Sequence, residues 1–120
     1  MKILVCISHV PDTTSKINFT NNNTEFDSNG ITYVINPYDE FGLTRAMFIK
    51  ETSGATITVI NVGPSSTEPT LRKALAIGAD NAVRINAEPT DANYVARLLA
   101  NYAKNENFDL IITGRESIDY

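Results

Sequence analysis

Thr56-Ile57-Thr58-Val59-Ile60-Asn61-Val62 is the run on which the fold turns. It is rich in β-branched residues and shows no period-two alternation of apolar and polar positions. Such a run suits a strand covered on both faces, the situation of a strand inside a parallel sheet. Three shorter runs share its character: Ile3 to Ile7, Ala82 to Ile85 and Leu110 to Thr113. Just ahead of the central run, Gly54 reads as the stop of a helix that begins at Asn36-Pro37, an N-cap followed by proline at the first helical position. Phe41, Met47 and Ile49 give that helix its apolar bulk. Just beyond the run, Gly63-Pro64 makes a turn. A second helix is then predicted from about Glu68 to Ile77, with Leu71, Ala74 and Leu75 at helical spacing and Gly78 as its stop. A third follows Pro89-Thr90-Asp91, with Thr90 as a candidate cap and Val95, Leu98, Leu99 and Tyr102 as one apolar stripe.

Strands and helices therefore alternate, which predicts an α/β fold with a parallel sheet and right-handed crossovers. One segment interrupts the alternation. Residues Lys16 to Ile35 are polar, rich in Asn and Thr, and contain Asn29-Gly30, so a small β-hairpin insertion is expected there. Nothing after Leu110 to Thr113 is available to cover the second face of that strand, so a piece of a longer subunit is expected.

In an open parallel sheet, ligands bind beyond the carboxyl ends of the strands, where the strand order reverses. Suitable residues stand at three of these ends: Ser8 to Asp12, Val62 to Pro64, and Thr113 to Asp119. Gly63 and Gly114 each follow a strand directly, and two readings stay open for them. They permit a tight turn, or they let a ligand approach the backbone. The chain has no G-x-G-x-x-G after its first strand, no Walker lysine loop and no G-x-S-x-G elbow, which argues against a Rossmann dehydrogenase, a P-loop ATPase and an α/β-hydrolase. Among residues able to do chemistry, His9 reads as a loop residue before a general base, and Cys6 as an inert strand thiol. Asp39 and Glu40 sit in a first helical turn, where acids favour the positive end of the dipole. Arg115 lies in the loop where an anionic ligand would sit.

Composition narrows the classes further. The net charge of −4 is too mild and of the wrong sign for nucleic acid. With Cys6 and His9 as the sole residues of their types, neither an internal disulfide nor a Cys/His zinc cage can form. The opening run Met1 to Val5 is too short for a signal peptide, and no segment is long enough to insert in a membrane, so a cytoplasmic location is expected.

Four stretches, in order, resemble electron-transfer flavoprotein beta subunits. They are Met1 to Ile7 with Val10-Pro11-Asp12-Thr13; Asn36-Pro37-Tyr38-Asp39-Glu40; Val62-Gly63-Pro64 with Leu71 to Asp80; and Asp109 to Asp119. The likeness is weakest from Ser15 to Asn29. It implies a three-layer α/β/α Rossmann-like domain of the adenine nucleotide alpha hydrolase-like type, residues 1–120 being a truncated N-terminal nucleotide-binding domain. It also implies an electron carrier with no catalytic residues of its own, paired with an alpha subunit that holds most of one FAD. Flavin dehydrogenases would be its donors, and the beta site would hold AMP or a second FAD. Carried over by position, the nucleotide contacts are Cys6; Asn36, Pro37, Tyr38 and Asp39; Val62; and Gly114, Arg115, Glu116, Ser117, Ile118 and Asp119. The cap at Asn36 would also draw an anion to free helical N–H groups. The chain departs from the family at Ser8 and His9, where basic residues or Gln are common. The phosphate-holding residues of the family would follow Asp119, so weak nucleotide binding or none is expected of this piece alone, and a micromolar AMP affinity by calorimetry would contradict that.

Two other classes share the broad architecture. A small adenine-nucleotide-binding regulatory module resembling universal stress proteins should carry a Gly-rich phosphate loop after its fourth strand. An enzyme of the adenine-nucleotide hydrolase type should carry one after its first. Neither loop is visible in this sequence.

Overall fold

A computed structural model describes residues 1–11, 18–20, 25–27, 33–89 and 91–114. The central sheet has four parallel strands: β1 (Lys2–Cys6), β6 (Thr56–Val62), β7 (Asn81–Ile85) and β8 (Leu110–Ile112). Their spatial order is β7-β6-β1-β8. The chain steps outward from β1 to β6 and β7, then returns to the far side of β1. The order therefore reverses between β1 and β8, where Val5 pairs with Ile112.

Three helices make the crossovers: α1 (Pro37–Ser53), α2 (Glu68–Ile77) and α3 (Ala92–Asn105). A one-turn 3₁₀ segment, Ser65–Thr67, leads into α2. Alternate residues of β1 and β6 (Ile3, Val5, Ile57 and Val59) are buried in one cluster with Leu43 and Ala46 of α1 and Leu71 and Ala74 of α2. Leu4 and Ile60 point the opposite way, on the face that α3 crosses, and are buried too. Covering both faces is what lets the strands be continuously apolar. Each such residue contributes roughly 1.5–3 kcal/mol relative to exposure. The three-layer α/β/α, Rossmann-like arrangement is the expected one.

Both glycine stops hold. Gly54 adopts φ 71 and returns its N–H to the Lys50 carbonyl at 2.8 Å, and Gly78 adopts φ 137. The phase of α1 differs from expectation. Its buried positions are Leu43 and Ala46, with Met47 and Ile49 packed partly against them, while Phe41 is 71% exposed. Phe41 lies two residues before Leu43, which puts it on the far side of the helix. The cap of α3 is Asp91, whose side chain accepts the Tyr94 N–H at 2.8 Å. Thr90, the candidate from sequence, lies outside the described residues. The predicted stripe Val95, Leu98, Leu99 and Tyr102 is half-buried.

The inserted β structure consists of two antiparallel ribbons. β2 (His9–Pro11) pairs with β5 (Tyr33–Ile35), and β3 (Asn18–Thr20) pairs with β4 (Glu25–Asp27). The Phe19↔Phe26 register pairs β3 and β4, which are consecutive strands. Strand pairing sets that register, and the Asn-Gly pair falls between β4 and β5, outside the described residues. Among the described residues no helix is long and apolar enough to cross a membrane.

Candidate functional site

The carboxyl ends of the strands open onto a cavity of about 1030 Å³. Cys6, Ile7 and Ser8 line it from the end of β1, and Asn61, Val62 and Pro64 from the end of β6. Thr113 and Gly114 line it from beyond β8, and Asn36 and Asp39 from the start of α1. The cavity therefore lies at the topological switch point, where the sheet argument placed it. Of the residues carried over by resemblance, Cys6, Asn36, Asp39, Val62 and Gly114 meet there. Pro37 and Tyr38 do not line the cavity. Arg115, Glu116, Ser117, Ile118 and Asp119 lie outside the described residues.

Asp39 organises this end of the molecule. It is buried, and its Oδ2 accepts the Ser8 N–H at 2.8 Å. The Ser8 hydroxyl, the Asn36 side chain and the Gly114 N–H lie close by and favour its charged form. Burial nevertheless raises its carboxyl above the ordinary value of 3.8, outweighing those donors. The Asn36 N–H donates to the Ser8 carbonyl at 2.9 Å, so the two segments are also joined through their backbones. Gly114 packs so closely on this carboxylate that a Cβ there would overlap Asp39 Oδ1.

These contacts revise the idea of an anion hole at the α1 N-terminus. Pro37 has no N–H, the Asp39 N–H is bonded to the Asn36 carbonyl at 2.9 Å, and a carboxylate sits alongside. Little remains there to attract a phosphate. Helix-start signals are local, whereas the partner of Asp39 at Ser8 lies on another element, so the sequence could not display this.

The β6 wall holds a second polar feature. Asn61 is 3% exposed, and its Nδ2 donates to the Ile7 carbonyl at 2.9 Å. Its Oδ1 is buried and has no partner, the sole such side-chain atom among the described residues. Gly63 leaves room beside it. A Cβ on Gly63 would stand 3.0 Å from Asn61 Oδ1 and 2.6 Å from Thr67 Cγ2. Close packing is a third reason for the strand-end glycines, beside the two readings left open: a Cβ at either would meet protein atoms.

A third wall comes from the β2–β5 ribbon and α2. The His9 and Tyr33 rings stack with centroids 4.4 Å apart, and His9 Nδ1 lies 2.6 Å from Thr70 Oγ1. Lys73, one turn further along α2, also lines the cavity, as does Glu88 beyond β7. The sequence reading singled out neither Tyr33 nor Thr70. Their pairing with His9 is long-range and carries no local motif. Cys6 behaves as expected: burial, with Asp39 adding like-charge repulsion, pushes its thiol up to about 11, so it is protonated and unreactive at neutral pH. Among the described residues no group of three or more His, Cys, Asp or Glu is placed to hold a metal ion.

Fold and cavity together define a three-layer α/β protein with a ligand-sized cradle at its strand tips, floored by backbone and small residues. The model for the electron transfer flavoprotein domain matches residues 24–120, and the chain belongs to that family. It is 38% identical to the electron transfer flavoprotein subunit beta of Bacillus subtilis over 99% of the chain and 47% of that protein. The corresponding subunit of Methylophilus methylotrophus is 36% identical over 99% of the chain and 47% of the relative, and the human one is 30% identical over 99% and 49%. The chain spans about half the length of the curated relatives it matches.

Proposed function

We propose that this chain is the nucleotide-cradling part of an electron carrier. It would bind an adenine nucleotide, AMP or a second FAD, at the strand-tip cavity. Paired with an alpha subunit that holds FAD, it would carry electrons from flavin dehydrogenases to an acceptor. The observation that carries the reading is the meeting of Cys6, Asn36, Val62 and Gly114 around one cavity at the switch point. A cavity of about 1030 Å³ has room for a nucleotide by the usual range of ligand sites. Arg115 to Asp119 would continue the cradle beyond β8.

The bound flavin would supply reversible electron uptake, and the protein's part is binding, orientation and electrostatics. Nothing in the cavity requires a general acid or base. The Cys6 thiol is held protonated, so no thiolate competes for electrons or oxidants. The regulatory-module reading gains no specific support from the geometry.

The test is coexpression with a candidate alpha subunit. A yellow heterodimer with a flavin spectrum is expected, with one adenine nucleotide released from the beta site on denaturation. A colourless monomer under the same conditions would remove the carrier reading.

A further inference from the structure

We propose that Asp39 is a positioning residue, whose carboxylate ties the ends of β1 and β8 to the first turn of α1 and thereby sets the width of the cavity at the switch point. The tie itself rests only on geometry. Its consequence for a ligand rests on the nucleotide reading above.

A carboxylate offers about four lone-pair sites. The Ser8 N–H donates to Asp39 Oδ2 at 2.8 Å, and the Ser8 hydroxyl, the Asn36 side chain and the Gly114 N–H crowd the same carboxyl. These neighbours surround the carboxyl, and Asp39 acts through the groups it holds. Those groups belong to three elements. Ser8 ends the β1 segment, Asn36 caps α1, and Gly114 follows β8. β1 and β8 are the two strands between which the sheet order reverses.

The arrangement is also costly in a way that packing alone does not explain. Asp39 is 6% exposed, and among the described residues no Lys or Arg lies within ion-pair range of it. The Cys6 thiol on β1 faces it and is neutral. The other ionisable groups lining the cavity among the described residues are His9 on β2, Tyr33 on β5, Lys73 on α2 and Glu88 beyond β7. A buried carboxylate that meets no cation among the described residues depends on its hydrogen bonds. Gly114 fits that dependence, since any Cβ would drive the β8 end off the carboxylate.

Nuclear magnetic resonance of the chain tests the tie without a ligand. The amide protons of Ser8 and Gly114 both lie against the Asp39 carboxyl, so in the wild type both should titrate with a single common midpoint above the ordinary aspartate value, and Asp39→Asn should abolish both titrations. Separate midpoints, or no titration at either amide, would overturn the tie. AMP titration at pH 8 of the heterodimer formed by the full-length subunit and a candidate alpha subunit then reads the consequence. Asp39→Asn should weaken AMP about tenfold, while Asp80→Asn, which removes a comparable carboxylate at the opposite end of the sheet, should leave AMP affinity within twofold. Equal losses in the two variants would reduce Asp39 to a general stabiliser. Failure of the wild type to bind AMP at all would sink the nucleotide reading, and with it the ligand role, while leaving the amide titrations to decide the tie.

Discussion

The two ends of the sheet use the same side chain for the same task under opposite conditions. At the amino ends of the strands, Asp80 accepts the Ile57 N–H at 2.8 Å while its own N–H donates to the Ile57 carbonyl at 2.9 Å. Asp109 repeats the pattern with Lys2, at 2.7 and 2.8 Å. Asp80 is exposed and paired with Lys50 Nζ at 2.8 Å, and the Ile57 N–H and then Lys50 hold its carboxyl below the ordinary range. At the carboxyl ends, Asp39 accepts the Ser8 N–H at the same distance, but it is buried, lacks a cation among the described residues and is raised. The glycines divide likewise. At the amino ends Gly54 and Gly78 are there for a positive φ, and at the carboxyl ends Gly63 and Gly114 are there because no Cβ fits. One end is built for stability. The other accepts desolvation and crowding, which is where a binding site is to be sought.

Gly63→Ala should break this contrast most forcefully. The new methyl would meet Thr67 Cγ2 at 2.6 Å and Asn61 Oδ1 at 3.0 Å, both buried. A loss of roughly 2–3 kcal/mol is expected in urea denaturation, from overpacking. Asp80→Ala should follow. It leaves the Ile57 N–H without its acceptor and Lys50 with the Gly78 carbonyl alone, at about 2 kcal/mol. Gly54→Ala should cost about 1 kcal/mol, because φ 71 is unfavourable for alanine although nothing stands within 4 Å of its Cβ. If Gly63→Ala cost no more than Gly54→Ala, the carboxyl ends would not be crowded and the contrast would fail.

The same division explains what could be read in advance. The strands were legible because burial on both faces leaves no alternation, and the helix ends because Gly54 and Gly78 mark left-handed or near-left-handed stops. The location of the cavity followed from topology. The phase of α1 was not legible: Phe41, Leu43, Met47, Phe48 and Ile49 surround the helix on several sides, so no single stripe declares the core. Asp39 showed only its local role, an acid in a first turn, because Ser8 and Gly114 come to it from other elements. Tyr33, Thr70 and Asn61 stayed hidden for the same reason. Their meaning lies in contacts between segments, which residue spacing does not encode.

The smallest expected effect separates the two aspartates by sign. Asp80 has a depressed folded pKa, so it contributes stability above its unfolded value, and that contribution is lost as pH falls through the folded value. Asp39 has a raised one, so the folded chain takes up its proton at a higher pH than the unfolded chain does. The cost of its charge is then full above the raised value, declines as pH falls through it, and is gone below the ordinary 3.8. Urea midpoints of the wild type against Asp39→Asn and against Asp80→Asn, taken from pH 7 downward, should therefore drift in opposite directions. The wild type should gain on the Asp39 variant and, further into acid, lose its lead over the Asp80 variant. Two curves sloping the same way would mean that the Asp39 hydrogen bonds outweigh its burial, and that the carboxyl ends of the strands carry no electrostatic cost at all.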